Sequence, residues 1–369
     1  MHPSSVLKYF LNNKKRFVIV TLAIMLGVFL LYSLSTVIES METAYNRSIL
    51  EPITHFSVLS AGGSFLTADT IDNVSKMDSV ERVIPLVEYG ISLKLNIGGY
   101  INTSMYIVKP DDIGYLIGMM GLKLTAGRLP YIGSHETVLN KDVAQNLGVE
   151  IGDNIGSGMN NNARFPEQYT VVGLLEGKSL VSFAGLLIND AQKYNIMIIP
   201  KEGRHDEMDE ILQGFQSTEM NVETYNQQAE LVGATMTSIN LLITAICITV
   251  VIIISACIGF LCYIYYIQRQ NEYGLLRAIG YTRQQVINRA FSEIGLMNLA
   301  GLLSGIGLSL VAGLIMKIAF YQAFGQVLYV FNLDALAKAA CVPIFSTFFS
   351  LAPIWRLMKK SDPVHVMDS

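Results

Sequence analysis

Four long apolar runs, set apart by one extended mixed segment and two short polar ones, organise this chain. Phe17 to about Ile38 contains no charged residue, and Leu241–Tyr266, about Ile294–Phe320 and about Ala335–Ile354 follow it. Each reaches or exceeds the roughly 20 residues an α-helix needs to cross a hydrocarbon core of about 30 Å. The pattern predicts an α-helical membrane protein with four transmembrane helices and an α/β domain inserted between helices 1 and 2. The expected divisions are an N-terminal segment 1–16, helix 1 at 17–38, the insert at 39–225, and a stalk with helix 2 at 226–266. A connecting segment 267–290, helix 3 at 294–320, helix 4 at 335–354 and a tail 355–369 complete the chain.

Within the insert the period changes. Ile91, Leu93, Leu95 and Ile97 alternate with Ser92, Lys94 and Asn96, the period-two pattern of a half-buried strand. Gly98-Gly99 turns the chain, and Ile101–Val108 returns, which predicts a hairpin. Further strands are expected near Thr137–Leu139 and Tyr169–Leu175. Short helices are expected over Asp69–Met77 and Lys141–Leu147, and an amphipathic one carries Met208, Ile211, Leu212 and Phe215 at helical spacing. Two small α/β lobes fit this order of elements. From Asn226 the chain has no proline and only Gly233 before the membrane run, so one helix of roughly 40 residues, about 60 Å long, is expected.

Charge adds a direction. Only 15% of residues are charged, against about a quarter in soluble domains. Residues 39–233 hold 25 acids and 13 bases, a net −12. The short segments around the apolar runs are basic instead: Lys8, Lys14, Lys15 and Arg16; then Arg269, Arg277, Arg283 and Arg289; then Arg356, Lys359 and Lys360. Short basic segments stay in the cytoplasm, while long domains cross regardless of charge. Both termini are therefore expected inside a cell membrane of bacterial type, with the insert an extracytoplasmic domain. The first run is longer than the apolar core of about 7–15 residues in a cleaved signal, and no small-x-small site follows it, so it reads as a retained anchor. Val6, Tyr9, Phe10 and Leu11 before it suit a short interfacial helix. Cys247, Cys257, Cys262 and Cys341 all lie in apolar runs and read as packing residues rather than a disulfide framework or a zinc site.

The polar stretch between runs two and three carries the candidate chemistry. Arg269 and Glu272 are spaced to pair across one helical turn. Leu275, Leu276 and Ile279 supply an apolar stripe, Gly274 permits close backbone approach, and Gly280 is a helix stop. Such a helix suits docking into a partner's groove, or is a solvated basic loop. In the third run Gly301 and Gly305, with Ser309 beyond, form a small-xxx-small stripe, open to packing within the chain or to a dimer contact. Gly177-Lys178-Ser179 has the look of a P-loop end, but Val172 stands where that motif needs glycine. The acidic group His205, Asp206, Glu207, Asp209 and Glu210 matches no metal spacing.

Arg269, Glu272, Gly274, Arg277, Ala278 and Gly280 together resemble the signature of FtsX-like and MacB-like ABC transporter permeases. The resemblance extends to Glu293, to Ala352-Pro353 and Asp362-Pro363, and in the insert to Gly127-Arg128-Leu129-Pro130, Glu136–Asn140, Ala144, Leu147-Gly148, Gly152-Asp153 and Tyr169–Gly173. It implies a dimeric permease, as a homodimer or with a related permease, that binds no cofactor itself. ATP would be hydrolysed by an ABC ATPase on another chain, coupled through Arg269, Glu272, Gly274, Leu275, Leu276, Arg277, Ala278 and Gly280. It further implies a stalk that carries motion outward and an amphiphilic cargo (a peptide, antibiotic, lipid or haem-like molecule), with membrane lipids and no nucleic acid as surroundings. The FtsX branch offers an alternative: regulation of a cell-wall hydrolase without transport. No arrangement of Ser, His, Asp or Cys supports an enzyme.

Overall fold

The computed structural model describes residues 14–62, 66–96, 98–131, 133–156, 167–185 and 195–360. Ile97, the expected interfacial helix at Val6–Leu11 and the Asp362-Pro363 pair fall outside these residues. Two compact units share them, one drawn from Met1–Glu39, Ile239–Met316 and Leu328–Ser369, the other from Ser40–Ser238 and Lys317–Val327.

The first unit is built from long helices at Lys14–Tyr45, Tyr225–Gln268, Arg283–Met316 and Leu333–Lys360. All four are long and apolar enough to cross a membrane. The helices outrun the apolar runs. The first continues through Glu39 and Glu42 to Tyr45, and the third begins at Arg283 rather than near Ile294. Helix ends are set by caps and breakers rather than by loss of apolarity, and none stands between Arg283 and Ile294. Residues 267–290 are accordingly a short helix Gln270–Ala278, a turn, and the start of the third long helix. The second helix is unbroken over 44 residues, where the sequence predicts about 40.

Inside this unit Ile24, Val28, Leu31, Met297, Ala335, Ala339 and Val342 form a closed core. Some buried polar groups there are paired: Ser346 Oγ donates to Asn298 Oδ1 at 2.6 Å, and Asn298 Nδ2 donates to Thr347 Oγ1 at 2.7 Å, whereas Thr21 Oγ1 and Ser255 Oγ are buried without a hydrogen-bond partner. Leu241, Ile248, Phe260, Leu303 and Phe348 are each more than half exposed. Such a surface would promote association in water and is satisfied in lipid.

The second unit is an α/β domain on a ten-stranded sheet. Its strands are β1 Ser57–Ala61, β2 Val80–Lys94, β3 Tyr100–Val108, β4 Lys123–Gly127, β5 Glu136–Asn140, β6 Asn154–Gly156, β7 Gln168–Glu176, β8 Ser182–Gly185, β9 Asn195–Pro200 and β10 Met220–Glu223. The order is β10-β1-β9-β2-β3-β8-β5-β7-β4, with β6 on β7. The two expected lobes are joined through one strand. The long strand β2 belongs to both halves, pairing β9 through Val80–Leu86 and β3 through Val87–Lys94. The alternation that predicted the hairpin decides its faces: Ile91, Leu93, Ile101, Met105 and Ile107 enter one core. Helices Ala68–Ser75 and His205–Gln213 close a second core around Leu59, Val74, Ile198, Met208 and Leu212.

The expected short connection after the third run is itself part of this unit. It opens with a π-helical turn Lys317–Tyr321 and a 3-10 turn Gln322–Phe324, and ends on Gly325 at φ 62°. Gln326 Nε2 donates to Lys94 O at 2.6 Å, and Asn146 Nδ2 donates to Phe324 O at 2.8 Å. A Cβ on Gly325 would lie 2.1 Å from Asp142 O, so only glycine fits this left-handed contact.

Candidate functional site

Arg269 breaks the helical line. It sits between the helices ending at Gln268 and starting at Gln270, with φ −107° and ψ 11°. Its side chain turns inward, where it is 3% exposed. Its Nη1 donates to Glu293 Oε2 at 2.6 Å, and its Nε donates to Glu272 Oε2 at 2.9 Å. Arg289, one turn before Glu293 on the third helix, reaches Glu293 Oε1 at 3.4 Å. The Arg269 guanidinium also lies 4.9 Å over the Tyr273 ring and 5.2 Å over that of Tyr265, and Tyr273 stacks on Tyr266 at 5.0 Å. A buried carboxylate thus has two cations, and the buried cation has two carboxylates and two aromatic faces. Burial works against the charge of Arg269, but Tyr273, Glu293 and Glu272 outweigh it and hold its pKa above the usual arginine value. Burial, then the charge of Glu293, raises the Tyr273 phenol, which stays neutral.

Arg269 and Glu272 pair, as their spacing predicts. Arg269 is interior, its side chain 3% exposed, and it anchors the helix. Leu276 is likewise packed on the core, while Leu275 and Ile279 are 65% and 69% exposed. The apolar stripe is therefore split: one side holds the helix down, and the other is presented with Glu272 and Ala278. Gly274 and Arg277 are half-buried, and Gly280 turns the chain at φ 105°. The motif positions missed by sequence reasoning are Tyr273 and Arg289. Arg289 had a local signal, its i,i+4 spacing to Glu293; Tyr273 had none beyond the preceding aromatic cluster.

Gly301 and Gly305 are occupied within this chain. A Cβ on Gly301 would come 2.6 Å from Ile24, and one on Gly305 would come 2.7 Å from Val28 and 2.8 Å from Met25 O. The first and third helices approach there as closely as small residues permit. Of the two uses left open for the stripe, intrachain packing is the one seen.

In the insert, Gly127, Arg128 and Glu136 of the motif form one latch. Arg128 grips Glu136 through Nη1 at 2.7 Å and Nη2 at 2.5 Å, and Glu136 also accepts from Tyr131 N and Ser134 Oγ at 3.0 Å each. The bond from Arg128 is the main reason that the Glu136 carboxyl falls to about 2. Gly127, at φ 75°, lets the turn pass against Val172 O, where a Cβ would lie at 2.1 Å. Gly177-Lys178-Ser179 is a turn after β7 whose Gly177 and Lys178 carbonyls accept from Arg47. In the acidic group, Asp209 is fully buried and accepts from Ser57 Oγ at 2.7 Å. Among the described residues no three His, Cys, Asp or Glu side chains gather to hold a metal.

A family model described as the MacB-like periplasmic core domain matches residues 17–234, and one described as the FtsX-like permease C-terminal matches residues 234–361. Comparison with curated proteins finds no match. Among solved structures, the chain is similar to the periplasmic region of MacB from Actinobacillus actinomycetemcomitans, at 15% identity and TM-score 0.30, over 49% of this chain and 94% of that one. It is also similar to the extracellular domain of the noncanonic ABC-type transporter YknZ from Gram-positive bacteria, at 11% identity and TM-score 0.29, over 46% and 100%. With one family model covering residues 17–234 and the other nearly all of the rest, the chain belongs to the FtsX-like and MacB-like ABC transporter permeases.

Proposed function

We propose that this chain is the permease subunit of a MacB-like ABC transporter in which a separate ATPase docks on the exposed side of helix Gln270–Ala278. The observation that carries this reading is the split of that helix. Tyr273 and Leu276 are packed inward and the preceding Arg269 is locked to Glu293, while Glu272, Leu275 and Ile279 remain outside. A force applied to the outer side would be borne by a junction that does not yield, at the root of the 44-residue helix Tyr225–Gln268. That helix is the proposed stalk, with both termini and residues 267–290 cytoplasmic and two permease chains in the working assembly. Few ionisable residues lie in the expected membrane runs: Glu293 is neutralised by two arginines, leaving Lys317 and Lys338. This favours extracting an amphiphilic cargo over conducting a polar one through the spans. The FtsX-like alternative, regulation of an outer hydrolase, uses the same junction and differs in what the insert does.

The test is co-purification. The full chain, purified in detergent from its native host, should bring down an ABC ATPase whose hydrolysis rate changes on reconstitution. Leu275→Glu with Ile279→Glu should abolish both effects without lowering thermal stability. Retention of the ATPase by the double variant overturns the docking assignment.

A further inference from the structure

The insert contains a cavity of about 630 Å³ that plays no part in the coupling argument. Its floor is the outer face of the β2–β3 hairpin. Glu88, Gly90 and Ser92 alternate with the residues that enter the core, and their cross-strand partners are Tyr106, Ser104 and Asn102. Pro52 and Ile53 form an apolar side, and Glu223 at the end of β10 and Gln228 on the following helix form another. This volume falls in the range of sites for small organic ligands, about 300–1,000 Å³.

The charge of the cavity is one-sided. Glu88 and Glu223 line it, and no Lys, Arg or His does among the described residues. Ser104 Oγ donates to Glu88 at 2.5 Å, and Asn221 Nδ2 approaches Glu223 at 3.4 Å; neither carries a positive charge. Burial pushes the Glu88 carboxyl up, with the Ser104 bond opposing. Burial, and then the charge of Glu88, pushes up Glu223. Two partly buried carboxylates that repel each other without a cation are costly in a structure whose other buried acids have partners. Gly90 leaves the centre of the floor open, since a Cβ there would touch nothing within 4 Å.

We propose that this cavity binds a small organic cation, a molecule bearing primary ammonium or guanidinium groups that sit between Glu88 and Glu223. A bare metal ion suits the site less well: only two carboxylates are offered, and the volume is many times that of an ion. The serine, threonine and asparagine groups of the floor supply further acceptors for N–H donors, and Pro52 and Ile53 accommodate a short alkyl chain.

The full chain in phosphatidylcholine nanodiscs provides the test, by calorimetric titration with spermidine and with agmatine at pH 7.5 and pH 5. Both are expected to bind saturably at one site, more weakly at pH 5, while 1,8-octanediol does not bind. The titratable groups lining the cavity are Glu88, Glu223 and Tyr106, so loss at pH 5 reports the two carboxylates. Glu88→Gln with Glu223→Gln should cost at least tenfold in affinity. Gly90→Leu, which fills the floor and leaves both carboxylates in place, should cost as much. Absence of saturable binding by both amines, equal binding by the diol, or unchanged affinity in Gly90→Leu overturns the assignment, as does binding of Ca²⁺ alone. No ATPase enters the measurement, so failure here leaves the docking proposal standing.

Discussion

The two units handle buried acid in opposite ways. At the foot of the long helix Glu293 lies between Arg269 and Arg289, with tyrosine rings around the arginine. In the insert Glu88 and Glu223 share a cavity that has no Lys, Arg or His among its described lining residues. A neutralised node has no use for a visitor, and its value is that it holds one geometry. An acid pair left without its counter-charge is poor scaffolding and good recognition chemistry. The same residue type therefore signals stiffness in one place and recognition in the other, and only the neighbouring side chains distinguish them.

Removing the acid from each region should break this contrast most directly. Glu293→Ala takes one of two carboxylates from the buried Arg269 guanidinium and leaves it Glu272, so the loss should approach the lower end of the about 3–5 kcal/mol that breaking a buried pair costs. Unfolding of the detergent-solubilised chain should show a loss of that order, and a loss below about 1 kcal/mol would mean that the node is not structural. The latch in the insert gives a smaller effect with a pH signature. The Glu136 carboxyl is held at about 2 by Arg128, below its ordinary value, so its contribution is complete above roughly pH 4.5 and fades as pH falls towards 2. Glu136→Gln should lower the melting temperature by a few degrees at pH 6, and the gap to wild type should close in acid. The smallest effect has the opposite sign. Glu88 and Glu223 are raised, so the folded state retains protons that the unfolded chain releases, and stability falls as pH climbs above about 4.5. Glu88→Gln should match wild type at pH 4 and equal or exceed it at pH 8. A melting temperature below wild type at pH 8 would show that Glu88 has a cation after all.

How much of this was legible in the sequence depends on the distance over which each feature is specified. The four apolar runs and the long second helix are local and stand where the pattern puts them. The faces of the hairpin also follow from alternation alone, because a strand carries its inside and outside in successive residues. The ends of helices were read less well, since Arg283–Arg289 is polar yet contains nothing to stop a helix. The pairing of Arg269 with Glu272 is visible in the sequence at i,i+3, whereas Glu293, the partner that buries it, is 24 residues away. The cavity was invisible for the same reason. Glu88 reads as the solvent side of a strand, and nothing local brings Glu223 from the end of the insert to face it. The link between the two halves of the insert's sheet rests on β2, whose own two halves find partners from different parts of the chain.

That sheet has a consequence for how the protein is made. β1 lies between β9 and β10, so the strand that leaves the ribosome first receives both its neighbours last. Val58 and Leu59 pair with Glu223 and Val222, which are made about 165 residues later, some 8–30 s at ~5–20 residues per second. Until β9 is made, an apolar strand stands with two open edges, and until β10 is made with one, a template for unwanted pairing. Biogenesis of this chain should therefore depend on whatever shields nascent β1 until the insert is finished, and slowing translation beyond Pro200 should raise aggregation more than slowing it before β1.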